Sequence, residues 1–391
     1  MMKKITLFMV VCFTLITCMI PVQASSFEEL TSQYVYVIDD DTKQVLYDKN
    51  ASARMYPASL TKMMTCIIAL ESNRDEELVT ITSEMLQGLI EENAYVVGLK
   101  VGDTLPMIDL IYGSAVASGA DATNAIALTI CPTIDEFVAL MNEKAVQLGM
   151  VDTHFTNPIG LHNDNHYSTA KDMATLLSYG LQNEEFKQIF SASSYTTSPI
   201  VSHPDGLTIH SSSKSVIQKE KLDLPEYIGG KTGYTIPAGH CLASWIEVNE
   251  MNIISITGLA NTPITDSSHI HDLNTIIHQL RTYHKDHILS QNEVIGTIKI
   301  HNLFTTETKD ILCPNDITFD TDETNTITTQ LDIQNEISRQ NVEQTIEGSL
   351  NLLINDTVVQ TIPISVTVLE DSNPITRAIR SIYQSFRKKA A

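Results

Sequence analysis

Basic residues are scarce: Lys and Arg together number 25 against 47 Asp and Glu, a formal charge of −22 over 391 residues. So acidic a chain repels phosphate backbones, which excludes nucleic acid as a partner. Arginine is missing altogether between Arg74 and Arg281. Any anion bound by that stretch is therefore bound without an arginine clamp. Cysteine is equally sparse. Of the six, Cys12 and Cys18 fall in the first apolar run, and Cys66, Cys131, Cys241 and Cys313 are scattered. Without paired short spacings they signal neither a disulfide framework nor a zinc cluster. His269, His271, His278, His284 and His287 crowd together but lack cysteine or carboxylate partners at ligand spacing. They are expected on the solvated face of a helix, with no metal and no cofactor. No internal repeat is visible.

What is present begins with a leader. Lys3 and Lys4 precede an apolar run from Ile5 to Ile20, followed by Val22-Gln23-Ala24 as a small-residue cleavage site. This predicts a signal peptide over residues 1–24 and an exported, extracytoplasmic protein; the alternative is a retained anchor. Residues 25–288 read as one α+β domain. Strands over Tyr34–Ile38 and Gln44–Tyr47 lead into an apolar helix from Ser59, and helical patterning runs from Leu110 to Leu148 with a break at Ser118-Gly119. Ser168 is the expected N-cap of a helix ending at Gly180. Three strands follow between Tyr227 and Leu259, then a helix over Asp272–Tyr283. That order predicts a largely antiparallel sheet layered with helices.

Residues 289–369 are rich in Thr, Ile, Val, Asn and Asp in short alternating runs and predict a small all-β domain. Over 370–391, Ile375, Ile379, Ile382 and Phe386 share one helical face, while Arg377, Arg380, Arg387, Lys388 and Lys389 cover the other. A basic amphipathic helix on an acidic protein predicts attachment to an anionic membrane surface, here the outer face of the cytoplasmic membrane. It is too short and too charged to span. A frayed basic tail is the alternative.

The stretch YPASLTKMMTCIIALE carries Lys62 inside a run apolar on most sides. A helix of that kind is buried on most sides, where an ammonium ion is costly. Ser-x-x-Lys occurs four times, at Ser59–Lys62, Ser168–Lys171, Ser211–Lys214 and Ser385–Lys388. Ser168 reads as a helix cap, Ser211 as part of a polar SSSKS loop and Ser385 as part of the tail. Only Lys62 would be desolvated, which lowers a lysine's pKa until its neutral amine can take a proton. Three residues put it on the same helical face as Ser59, which gains free N–H groups and the dipole field at the helix start. Such a pair can make a serine nucleophilic. Downstream, Lys231-Thr232-Gly233 stands in a strand-like run beside Gly229 and Gly230. Glycines there mark close approach of another backbone or a ligand; alone, the motif reads as an edge strand guarded by lysine.

Together, Ser-x-x-Lys and Lys-Thr-Gly resemble the motif set of penicillin-binding proteins and serine β-lactamases. The blocks YPASLTKMMT, NPIGLHNDNHYSTAKDMA and GGKTGYTIPAGHCLAS resemble more specifically the serine-type D-alanyl-D-alanine carboxypeptidases, over about residues 30 to 290. The resemblance implies a β-lactamase/transpeptidase-like domain and an acyl-enzyme on Ser59, with Lys62 as base and Ser118 relaying protons to the departing D-alanine. It implies an oxyanion hole from the N–H groups of Ser59 and Tyr234 and substrate binding at Lys231, Thr232, Gly233 and Tyr234, with Lys231 and Thr232 holding the terminal carboxylate. The implied partners are peptidoglycan stem peptides ending in D-Ala-D-Ala, with β-lactams as covalent inhibitors. One departure stands out: the family's Ser-x-Asn reads Ser118-Gly119-Ala120 here. That keeps in view a feeble penicillin-binding cell-wall protein; a serine β-lactamase is the nearest enzymatic rival, against which the β-rich domain and the tail argue.

Overall fold

Alternate residues of the first strand, β1 (Ser32–Asp39), bury on opposite sides. Tyr36 and Ile38 join one apolar cluster, Val35 and Val37 a second. A period of two that is apolar on both faces belongs to a strand lying between two layers. β2 (Val45–Lys49) pairs antiparallel with β1. The short pairs β3 (Leu78–Thr80) with β4 (Thr104–Pro106), and β5 (Ser194–Thr196) with β6 (Thr208–His210), lie among the helices. β7 (Tyr227–Thr235), β8 (Gly239–Val248) and β9 (Met251–Ala260) complete an antiparallel five-stranded sheet of order β2-β1-β9-β8-β7. β7 is thus an edge strand.

In this computed structural model the described residues are 30–260, 267–302, 305–322, 325–338 and 343–369, with Ile375 and Ile379. The expected signal peptide, and all but those two residues of the expected C-terminal helix, lie outside them.

Seven helices form the layer on one side and around the edge: α1 (Lys62–Glu71), α2 (Met107–Ala115), α3 (Ala120–Ile130), α4 (Ile134–Gln147), α5 (Ala170–Gly180), α6 (Glu184–Ser191) and α7 (Ser212–Lys219). One 3₁₀ turn, Ala58–Thr61, leads into α1, which is buried without a break from Lys62 to Leu70. α8 (Ser268–Leu280) covers the opposite face of the sheet with Ile270, Leu273, Ile276, Ile277 and Leu280. The α+β class and the antiparallel sheet are as the sequence predicts.

Four local expectations need correcting. Ser168 does not cap α5, because it pairs with Met55 in an extended bridge. Thr169 caps instead, its hydroxyl accepting from Asp172 N at 3.0 Å. The SSSKS segment is not a loop: Ser211 caps α7, and its hydroxyl accepts from Lys214 N. The last helix starts at Ser268 and not Asp272, so His269 falls on a buried turn; it is 4% exposed and not on a solvated face.

Between α8 and residue 369 the regular elements of the described residues are strands: β10 (His284–Leu289), β11 (Val294–His301), β12 (Thr306–Leu312), β13 (Ile317–Thr321), β14 (Ile327–Ile333), β15 (Glu336–Ser338), β16 (Gln344–Ile354) and β17 (Thr357–Val368). These bury a cluster of their own around Ile298, Phe319, Leu350 and Leu352. They dock on the end of β1 through polar groups. Gln44 brackets the backbone of Asp320, donating to its carbonyl at 2.6 Å and accepting from its N–H at 2.8 Å. The carboxyls of Asp39 and Asp320 face each other in a buried position, with Lys285 Nζ 3.0 Å from Asp39 Oδ2 and Asp41 nearby. Burial, then the neighbouring Asp39, pushes the Asp320 carboxyl up to about 8, while Asp39 is held below its ordinary value despite its burial by hydrogen bonds and by Lys285. The pair therefore holds one proton at neutral pH.

A folded state that binds the Asp320 proton more tightly than the unfolded chain loses stability as pH climbs from about 4 to about 8. Asp320→Asn keeps a donor toward Asp39 without the charge. Its melting temperature relative to wild type is expected to be a few degrees higher at about pH 9 than at about pH 5. Parallel melting profiles for the two proteins across that range would reject the shared proton.

Candidate active site

Three backbone pieces converge on Ser59. The first is its own 3₁₀ turn, entered through Ala58, a non-glycine residue at φ +46°. Such a conformation costs about 1–2 kcal/mol and persists only when the surroundings impose it. The imposing neighbour is the segment Asn157–Leu161. Gly160 has φ +81°, and a Cβ there would lie 2.0 Å from the Ala58 carbonyl oxygen. Only glycine lets these two backbones touch. The third piece is edge strand β7: a Cβ on Gly233 would lie 2.9 Å from Ser59 N. The glycine in Lys-Thr-Gly is thus a close approach, and it sets the Tyr234 backbone beside the start of α1.

Lys62 opens α1 and is 3% exposed. Its Nζ donates to Ser59 Oγ at 2.9 Å and to the Ile159 carbonyl at 2.5 Å. Burial lowers its pKa to about 7, Cys66 and Asp121 opposing only in part. Lys231, 1% exposed, donates to Ser118 Oγ and to the Thr232 carbonyl, each at 2.8 Å. Burial first, and the charge of Lys62 second, hold it well below the ordinary lysine range. Ser118 lies in the turn between α2 and α3 at φ +65°. The structure therefore brings Ser59, Lys62, Ser118, Lys231, Thr232, Gly233 and Tyr234 to one place. The serines and Thr232 are half-buried and open to a substrate, while both lysines are desolvated. Arranged so, a hydroxyl can lose its proton to an amine and attack a carbonyl.

Several supports carry no local signal in the sequence. Asp121, at the start of α3, accepts from the N–H groups of Val97, Gly98 and Leu99 at 2.9, 2.9 and 3.0 Å, pinning that loop beside Ser118-Gly119. His166 accepts from Thr156 N through Nδ1 at 3.0 Å, so its Nε2 carries the proton donated to Thr61 Oγ1 at 2.8 Å. Burial lowers its pKa to about 4, which keeps that ring neutral. Ser212, part of the segment expected to be a loop, lies 2.8 Å from Thr232 Oγ1. His240 stacks on His269 with ring centroids 4.6 Å apart and touches Tyr234 at 4.7 Å, so the buried histidine braces the end of β7.

A solved D-alanyl-D-alanine carboxypeptidase, DacD of Francisella tularensis, shares this fold: TM-score 0.73 at 22% identity, over 89% of this chain and 95% of that one. The model of peptidase family S11, D-alanyl-D-alanine carboxypeptidase, matches residues 21–262, and the chain belongs to that family. Among curated relatives, carboxypeptidase DacF of Bacillus subtilis is 29% identical over 68% of this chain and 66% of its own length. DacA of Haemophilus influenzae is 32% identical over 58% of this chain and 57% of its own length. The matched part thus spans less than two thirds of either relative.

Gly160→Ala is expected to break the site before the fold. The new methyl cannot coexist with the Ala58 carbonyl, so the Ser59 turn must move, and misplacement by about 1 Å costs on the order of a hundredfold in rate. Far-UV circular dichroism of wild-type shape with acylation by benzylpenicillin down at least about tenfold is the expected pair of results. Unchanged acylation would mean that the two backbones are not locked together.

Proposed function

We propose that this protein is an exported serine D-alanyl-D-alanine carboxypeptidase that trims the terminal D-alanine from peptidoglycan stem peptides. The observation that carries the reading is the buried Lys62 within 2.9 Å of Ser59 Oγ, with Lys231 bonded to Ser118 on the other side. Neutral Lys62 takes the Ser59 proton as Oγ adds to the carbonyl between the two D-alanines. The oxyanion is held by the N–H groups of Ser59 and Tyr234. The C–N bond then breaks, Ser118 passing a proton to the departing amine, and an ester remains on Ser59. Water hydrolyses it, releasing the shortened peptide and returning the proton to Ser59. Lys231 and Thr232 bind the terminal carboxylate without an arginine. A β-lactam enters the same path and stalls as an acyl-enzyme.

The leader over 1–24 supports export, and the basic amphipathic segment 370–391 supports attachment to the outer face of the membrane. A penicillin-binding protein without turnover is the alternative that Ala120 keeps open.

Two measurements test the chemistry. Intact mass after brief incubation with benzylpenicillin should show one adduct, mapped to Ser59; an unmodified protein beside intact drug would refute the reading. Acylation of wild type should climb with pH through a midpoint near 7, as Lys62 loses its proton. Lys62→Ala should lose at least about a hundredfold of that rate with its melting temperature unharmed. Release of D-alanine from a D-Ala-D-Ala peptide separates carboxypeptidase from mere binder.

A further inference from the structure

A buried lysine amine needs partners for its protons whether or not it is charged. For Lys62 the structure supplies two acceptors, and one of them, Ser59 Oγ, is the reacting atom itself. The other is the Ile159 carbonyl at 2.5 Å. Ala120, at the start of α3, offers only a methyl group; it is 1% exposed and packs with Leu89 against the Ile159 side chain. The lasting hold on Lys62 is therefore a backbone oxygen, and its position is set by whatever fixes the turn that carries it.

That turn is tied from within by one side chain. Asn157 Oδ1 accepts from Gly160 N at 2.7 Å and from Leu161 N at 2.9 Å, and Nδ2 donates to the Leu161 carbonyl at 2.9 Å. From outside, Thr65, one turn after the Lys62 position on α1, donates to the Pro158 carbonyl at 2.9 Å. Pro158 and Ile159 are thus clasped between Asn157 and α1, and the Ile159 oxygen has little freedom.

We propose that Asn157 is a positioning residue for the base: its side chain closes the turn that aims the Ile159 carbonyl at Lys62 Nζ and so holds the amine against Ser59. The proposal rests on reading Lys62 as the base, and it gives Asn157 no contact with substrate.

Crystal structures and acylation kinetics of the full chain carrying Asn157→Ala and Asn157→Asp test it. Asp keeps an oxygen for both N–H groups, whereas Ala keeps none. In the Ala variant Lys62 Nζ should sit beyond about 3.5 Å from Ser59 Oγ, outside hydrogen-bond reach, and the Asp variant should return it. With benzylpenicillin, the acylation rate constant at saturation should fall at least about tenfold for Ala, with the affinity of the complex before acylation kept within about twofold, and recover to within about fivefold for Asp. An undisturbed Lys62–Ser59 contact in the Ala variant overturns the proposal. So does a loss confined to affinity, or a failure of Asp to restore both position and rate. Should Ala not fold, Asn157→Ser, whose hydroxyl lies closer to its own backbone and which has no Nδ2 for the Leu161 carbonyl, takes its place with the same expectations. A wild-type protein inert to benzylpenicillin would remove the carboxypeptidase reading, and the crystal structures alone would then decide this one.

Discussion

Two lysines buried side by side in an apolar wall set the terms for everything around them. Each ammonium resists leaving water, and each resists the other's charge. The fold accommodates them by supplying acceptors at short range: Ser59 Oγ and the Ile159 carbonyl for Lys62, Ser118 Oγ and the Thr232 carbonyl for Lys231. Those acceptors come from four separate pieces of chain, so the lysines act as cross-links between α1, the α2–α3 turn, the 157–161 turn and strand β7. Burial that would otherwise be a cost becomes the source of both a neutral-leaning amine and a rigid site.

Rigidity here is bought with backbone strain in small, well-braced doses. Ala58 and Ser118 both adopt positive φ, one next to the Ser59 hydroxyl and one at the Ser118 hydroxyl. Each is held by a glycine that nothing larger could replace. Gly160 presses on the Ala58 carbonyl, and a Cβ on Gly119 would lie 2.7 Å from the Val97 side chain, which belongs to the loop that Asp121 pins. The strained residues are thus over-determined by contacts from elements distant in sequence, which is the condition under which strain at a site survives.

Those distances also explain what the sequence could and could not reveal. Lys62 was legible because its neighbours on every side are apolar, and Lys231 because glycines surround it; both signals are local. The strands of the main sheet were legible because they alternate between two buried faces. Ser168 misled because a cap is chosen by backbone conformation, and its bridge to Met55 gives that role to Thr169. The SSSKS segment hid a helix because α7 buries only Ser213 and Ile217, too little for an apolar period. Asn157 carries no local signal, since Lys62 is about a hundred residues away in sequence and no local pattern encodes a contact with it through the Ile159 turn.

The two titrating assemblies pull in opposite directions along the pH axis. Lys62 reaches the neutral form only as pH rises past about 7, whereas the Asp39–Asp320 pair surrenders its shared proton near 8. Toward lower pH Lys62 is charged. Toward higher pH two buried carboxylates repel across the junction of β1 with β13, offset by Lys285 and by the Asp41 N–H that donates to Asp39. Rising pH therefore favours the neutral amine while it steadily weakens the β1–β13 junction, so the two requirements trade against each other. Both dependences come from desolvation: of an amine, whose charge is costly when buried, and of a carboxyl, whose charge is costly when buried beside another.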